Sequence, residues 1–346
     1  SLHVLGGRRL HRRAVTGMTG SPHILTLTTT FNDWESLFHL LPLIDKKMVE
    51  LSATGTVVVI DDGSDTEPQP EKFLEFRFKA IQKVKVVRLY RNLGNQKALA
   101  VGMGYIAEKL AADYVLVMDG DLEDNPEYIN ALFDACAKHD NRKIIFAKRA
   151  KRSEGFLFTF FYKIYQWLYS VLTGAPISMG NYSIIPWFLA QRLARVSELW
   201  SHYPAAIMKA RLPYDAIVAH RGKRLFGQSK MNFPALVLHA INGFAVHGEV
   251  AAVRVLFILG ALGMLGLFAG LGLVGLKLFT DSAIIGWTSQ ILSVIVVFLL
   301  QVFMAICTMG FVLLSIRQQP QSIPYFDYHK FVETVDDTYS ANTKGE

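Results

Sequence analysis

Cysteine is nearly absent: Cys136 and Cys307 are the two in 346 residues. That excludes a disulfide framework and a cysteine-based zinc site, and it suits a reducing compartment. There is no internal repeat, no low-complexity tract and no nucleic-acid-binding motif. His202, His220, His239 and His247 have no metal-ligand spacing and are expected in core or interface roles. The first twenty residues carry Arg8, Arg9, Arg12 and Arg13 but no apolar segment, so they are not expected to act as a secretory signal. They read as a basic tail outside the fold, either unfolded or foreign to the natural chain ahead of a start at Met18. Charged residues are scarce, at 19% against 51% hydrophobic, and the apolar excess lies after residue 250. The net charge of +7 favours anionic lipid or phosphorylated substrates over nucleic acid.

From residue 21 to 232 the chain alternates short apolar runs with amphipathic stretches. His23-Ile-Leu-Thr-Leu-Thr-Thr-Thr, Thr56-Val-Val-Val-Ile60, Val84 to Leu89, Tyr114-Val-Leu-Val-Met118 and Lys143 to Ala147 read as strands. Helices are expected after the first, through Leu37, Leu40, Leu41 and Ile44, after the third, to about Leu110, and from Pro126 to about Lys138. Units of this kind predict an α/β fold with a doubly wound, mostly parallel sheet. Three strands run into polar loops at their carboxyl ends, the edge where a ligand crevice forms. Residues 156–173 are unusually aromatic, which fits either a core helix or contact with a membrane surface or lipid chain.

Beyond the domain, residues 233–252 are amphipathic and predict an interfacial helix. Val255 to Leu276 and Ile291 to Ile316 are each long enough to cross a hydrocarbon core of about 30 Å, which makes 253–317 a transmembrane hairpin. Arg254 and Arg317 flank it on the side of the basic stretch ending at Lys230, so the catalytic domain and C-terminus are expected to be cytoplasmic at the cell membrane. Gly260, Gly263, Gly266, Gly270, Gly272 and Gly275 suit close helix packing, within the hairpin or in a homo-oligomer. Residues 318–346 read as a polar C-terminal tail of no evident role.

Chemistry concentrates where the fourth strand ends, in Asp119-Gly120-Asp121-Leu122-Glu123-Asp124. If strand geometry persists past Met118, Asp119 and Asp121 point to one side. Neighbouring anions repel unless a cation relieves them, and a hard divalent ion shared with substrate phosphates does so. A solvated acidic turn is the plainer alternative.

Four loops, in order, resemble those of the family 2 glycosyltransferases of GT-A fold. With the terminal hairpin, the likeness is to the branch that charges polyprenyl phosphates with one sugar, such as dolichyl-phosphate mannose synthases and undecaprenyl-phosphate glucosyltransferases. Thr29-Thr30-Phe31-Asn32-Asp33 stands where the family has Pro-x-Tyr-Asn-Glu; Asp61-Asp62-Gly63-Ser64 and Arg91-Asn92-Leu93-Gly94 match the next two loops. The acidic loop matches the family's Asp-x-Asp, with Glu123 in a glutamine's place. Arg149-Ala-Lys151-Arg152 and Arg221-x-x-Arg224-x-x-Gly227-x-Ser229-Lys230 resemble the branch's two basic segments. Asn181 and Ser183 depart from the family's Gly-Asp-Phe-Arg.

The resemblance implies transfer of a sugar from a UDP- or GDP-sugar to polyprenyl phosphate, with inversion. It implies Mg2+ or Mn2+ on Asp119, Asp121 and Glu123. It implies nucleotide contacts from Thr29, Phe31, Asn32, Asp33, Asp61, Asp62, Asn92, Gly94, Lys97 and Asp119. Arg149, Arg152, Arg221, Arg224, Ser229 and Lys230 would receive the acceptor phosphate, and Asp119, Asp121, Arg149, Arg152 and Arg224 would carry catalysis. The plainer readings are headgroup charges for the basic residues, a solvated helix face for Lys97 and turn caps for Asp61 and Asp62. A processive polysaccharide synthase would carry Gln-x-x-Arg-Trp and more spans; a catalytically inactive scaffold or partner subunit is the remaining alternative.

Overall fold

Alternate residues along each central strand meet opposite layers. In the computed structural model, which describes residues 20–67, 69–149, 163, 167, 169–174, 179–220, 222, 246–279, 286–318 and 321–341, β1 is His23–Thr30 and β2 is Thr54–Asp61. Val57 and Val59 pack on one face, while Val58 and Ile60 pack on the other. The period-two alternation of a strand thus buries both faces, and the run reads as continuously apolar. The remaining strands are β3 (Ile81–Leu89), β4 (Tyr114–Val117), β5 (Ile144–Arg149), β6 (Ser183–Pro186), β7 (Tyr214–Ala219) and β8 (Val332–Ser340). Helices α1 (Trp34–Glu50), α2 (Pro70–Glu75), α3 (Asn95–Lys109), α4 (Ile129–Lys138), α5 (Trp187–Leu193) and α6 (Tyr203–Lys209) belong to the domain.

The sheet order is β7-β5-β6-β4-β1-β2-β3-β8. It is mixed: β4-β1-β2-β3 and β5-β7 pair in parallel, whereas β6 runs antiparallel between β4 and β5, and β8 antiparallel to β3. Because β6 reverses once on each side, β5 and β7 point the same way as β4. The carboxyl ends of β1, β2, β3, β4, β5 and β7 therefore share one edge.

The C-terminus, which reads as a tail in the sequence, is part of the fold. Its β8 closes the β3 edge, with Tyr339 buried against Phe78 at a centroid distance of 4.9 Å. Just before it comes α9 (Pro324–Asp327), and Tyr328 packs on Tyr105 and donates its hydroxyl to Glu108 at 2.5 Å. Closing an otherwise open edge removes a row of unpaired backbone groups.

Helices α7 (Gly248–Phe279) and α8 (Trp287–Gln318) are long and apolar enough to cross a membrane, with mean hydropathies of 2.3 and 2.7 in their most apolar windows. They pack on each other through part of the glycine pattern: a Cβ on Gly266 would stand 3.2 Å from Leu299 and Phe298, and one on Gly270 3.5 Å from Ile295. Gly260, Gly272 and Gly275 face nothing within 4 Å. Of the expected interfacial helix, 233–245 lie outside the described residues, and Gly248 to Ala252 instead form the first turns of α7. Of the aromatic stretch, 156–162, 164–166 and 168 lie outside them.

Candidate active site

At the shared carboxyl edge, Thr29, Thr30, Phe31 and Asp33 from the end of β1, Asn95 from the start of α3, and Asp119, Gly120 and Asp121 after β4 line one crevice. Strand geometry does not carry the acids there. β4 ends at Val117, and the chain turns through Leu122, whose φ of 65° is left-handed and whose side chain is buried. Local hydrogen bonds hold that turn instead: Asp124, 5% exposed, accepts from the Asp119 amide at 2.9 Å, and Asp121 accepts from the Glu123 amide at 3.0 Å. Gly120 is required by close approach, since a Cβ there would stand 2.6 Å from the Thr29 carbonyl. Glu123, the third acid expected at the cation, is not among the residues that line this crevice.

Asn95 joins three loops. Its Nδ2 donates to Asp119 Oδ1 at 3.0 Å and its Oδ1 accepts from Thr29 at 2.9 Å. Sequence reasoning passed over it, although it directly follows the Arg91-Asn92-Leu93-Gly94 motif. Asn32, also left-handed at φ 49°, accepts from the Asp65 amide at 2.9 Å, and its own amide donates to Ser64 at 2.8 Å. The first and second loops are thereby tied.

Asp61 and Asp62 are buried, and neither lines the crevice. Asp62 accepts from the Leu93 amide at 2.7 Å and the Gly94 amide at 2.9 Å, which fixes the chain just ahead of α3. Burial pushes its carboxyl up to about 6, against the pull of those two amides. Asp61 Oδ1 accepts from the Ser64 amide at 2.9 Å, while Oδ2 lies 3.8 Å from Arg88 with no hydrogen-bond partner among the described residues. Burial raises Asp61 as well, opposed by its Ser64 contacts and by Arg88. Asn92 and Lys97 are exposed beside this clamp.

Of the six residues assigned to the acceptor phosphate, Arg152, Arg221, Arg224, Ser229 and Lys230 lie outside the described residues. The backbone of Arg149 ends β5 at the shared edge, opposite Ala219 of β7. Gly222 is described, and its amide donates to the Glu123 carbonyl at 2.9 Å. At that residue the basic segment touches the acidic loop.

Two carboxylates in one crevice, with Asp33 on its wall, form a hard oxygen donor set. Among the described residues no group of three or more His, Cys, Asp or Glu is placed to hold a metal. The chemistry of these donors is that of a hard divalent ion, but they are a partial set, so water and substrate oxygens would have to supply the rest of its coordination.

The chain thus combines a mixed α/β sheet, with its crevice at the carboxyl edge, and two long apolar helices. Residues 52–200 match the model of glycosyl transferase family 2. The chain is 27% identical over 219 residues to the uncharacterized glycosyltransferase YkcC of Bacillus subtilis (strain 168), covering 60% of this chain and 64% of that protein. It is 23% identical over 218 residues to an uncharacterized glycosyltransferase of Synechocystis, covering 62% and 65%. The matches thus span a little under two thirds of either relative. Glucosyl-3-phosphoglycerate synthase from Mycobacterium tuberculosis, solved with Mn2+, UDP-glucose and phosphoglyceric acid, overlays with a TM-score of 0.47 at 14% identity, over 66% of this chain and 80% of that one. The family match supports a family 2 glycosyltransferase domain in this chain and specifies neither donor nor acceptor.

Proposed function

We propose that this protein transfers one sugar from a UDP- or GDP-sugar to polyprenyl phosphate at a membrane surface, with inversion at the anomeric carbon. The observation that carries this reading is the crevice at the carboxyl edge of the sheet that Asp119 and Asp121 line together. The Gly222 amide bonded to the Glu123 carbonyl supports it, since Gly222 belongs to the basic segment of the sequence. The apolar helices α7 and α8 support a membrane-borne acceptor.

Asp119 and Asp121 would hold Mg2+ or Mn2+ against the donor diphosphate, and the bound ion would offset charge growing on the leaving group. The chain's own work is positioning. Asn95 fixes the Asp119 carboxylate, and Asp62 fixes the loop ahead of α3. The loops carrying Thr29, Phe31, Asn32 and Asp33 border the nucleotide. Forked guanidinium donors on Arg149, Arg152, Arg221 and Arg224, with Ser229 and Lys230, suit the acceptor phosphate. That nucleophile is a phosphate monoester with a second pKa near about 6, so at neutral pH it needs steering by cations more than deprotonation.

The test is direct. Purified protein with Mg2+ or Mn2+, polyprenyl phosphate and a panel of labelled UDP- and GDP-sugars should give a chloroform-soluble labelled product. Asp121→Asn keeps the acceptor for the Glu123 amide but removes the charge, and it should abolish transfer with little change in thermal stability. No lipid-linked product from any donor would sink the proposal, and a growing water-soluble polymer would assign a processive synthase.

A further inference from the structure

Hydrogen-bond polarity orients two side-chain amides beside the crevice. A backbone N–H can only donate, so the 2.7 Å contact from the Tyr203 amide fixes the Gln96 atom it meets as Oε1. Gln96 therefore presents Nε2 on its other side, and that nitrogen donates to Asn181 Oδ1 at 3.1 Å. Asn181 must in turn direct its NH2 group away from Gln96, and among the described residues that group has no hydrogen-bond partner.

The position of Asn181 follows from the sheet. β6 pairs antiparallel to β4 with Ser183 opposite Val117, so Asn181, two residues before Ser183, lies at the edge where β4 ends and the chain goes on to Asp119. Its neighbours are pinned. The Tyr182 hydroxyl donates to the Asn125 carbonyl at 3.1 Å; Ser183 Oγ bonds the Asn181 carbonyl at 3.0 Å and the buried Tyr203 hydroxyl at 2.6 Å. Gln96 is the next residue after Asn95, which lines the crevice itself. A half-buried neutral donor is thus held in place at the edge of the crevice, behind the lining residue Asn95 and outside the lining itself, within the reach of a substrate that extends past the two carboxylates.

We propose that Asn181 is a substrate-contacting residue whose NH2 group, aimed by Gln96, donates to a phosphate oxygen in the crevice. The phosphate belongs either to the donor diphosphate or to the acceptor. This rests on the transfer reaction proposed above, and it assigns a role that a carboxylate at position 181 would oppose, since a carboxylate repels phosphate and donates only when protonated.

The experiment is steady-state transfer by the full-length protein and by Asn181→Asp, Asn181→Ala and Gln96→Glu between pH 5.5 and 8. A hydrogen bond to a charged group is worth about 1.5–3 kcal/mol, so N181A and N181D should lose roughly 10- to 100-fold in kcat/KM at pH 8. The N181D deficit should shrink as pH falls, because the introduced carboxyl regains a donor once protonated; dividing by the wild-type rate cancels titration of the substrates. The carboxylate introduced in Q96E still accepts from the Tyr203 amide but cannot donate to Asn181. The Q96E loss should therefore match that of N181A, and the double variant should be no worse. A raised KM for the nucleotide sugar alone places the contact on the donor, and a raised KM for polyprenyl phosphate alone places it on the acceptor. Wild-type kcat/KM in N181A, a pH-independent N181D deficit, or fully additive Q96E and N181A losses would each overturn the inference. A wild-type protein that makes no product removes the reaction itself and this inference with it.

Discussion

Asn95 donates to Asp119 across 3.0 Å, linking the first residue of α3 to the first acid after β4. The same side chain accepts from Thr29, so a single amide sets the spacing of three loops that come from distant parts of the sequence. The crevice geometry depends on that bridge as much as on the acids.

Replacing Asn95 by Ala should therefore weaken the cation site without removing a ligand. Loss of a partner that orients a metal ligand costs about 10- to 100-fold in affinity or activity. The Mn2+ concentration for half-maximal transfer should rise by that order in N95A. An unchanged metal requirement would reduce Asn95 to a loop fastener.

Asp62 makes stability depend on pH in an identifiable direction. Its folded pKa of about 6 lies above the ordinary 3.8. Its contribution is thus fully present below pH 3.8 and is lost as pH rises through 6. At about 1.4 kcal/mol per pKa unit, the change across that window is on the order of 3 kcal/mol. The amide introduced in D62N does not titrate, so the wild-type melting temperature relative to D62N should fall between about pH 4 and 7. A difference that stays flat would mean an ordinary Asp62 pKa.

Gly63→Ala should damage the second loop. Gly63 has φ 69°, and a Cβ there would stand 2.5 Å from the Arg91 carbonyl carbon and 2.6 Å from the Asn92 nitrogen, both backbone atoms. The left-handed conformation alone costs a non-glycine residue about 1–2 kcal/mol. Calorimetry should show weakened UDP or GDP binding, together with a lowered melting temperature.

Truncation after Phe331 should expose the β3 edge. Loss of β8 removes the Tyr339 packing and the ion pair of Glu333 with Arg88 at 3.7 Å. The shortened protein should melt at lower temperature and aggregate with rising concentration, as light scattering would show. Tyr339→Ala alone should cost about 3 kcal/mol.

Much of the crevice was legible because its residues follow strands directly. The Thr29–Asp33 and Asp119–Asp121 loops each sit at the carboxyl end of an apolar run, and parallel pairing brings such ends together whatever the loops contain. Asn95 and Gln96 were not legible, since a polar residue in a first helical turn looks like a solvated one until its partners are known. The path of the acidic loop was hidden for a related reason: nothing local announces that Leu122 takes a left-handed turn. β8 escaped notice because an edge strand with one wet face carries little apolar signal, and its partner β3 lies about 250 residues earlier.

By itself the sequence determined the alternation of strands and helices, the two apolar helices and the clustering of acids after β4, all of which follow from local periodicity and charge. Tertiary structure alone decided that β6 reverses, that the C-terminal strand completes the sheet, and that Asp62 turns inward to hold backbone amides. The physical reason is the range of the forces: hydrophobic period is written within a few residues, whereas hydrogen-bond partners and sheet order are chosen among segments far apart in the chain.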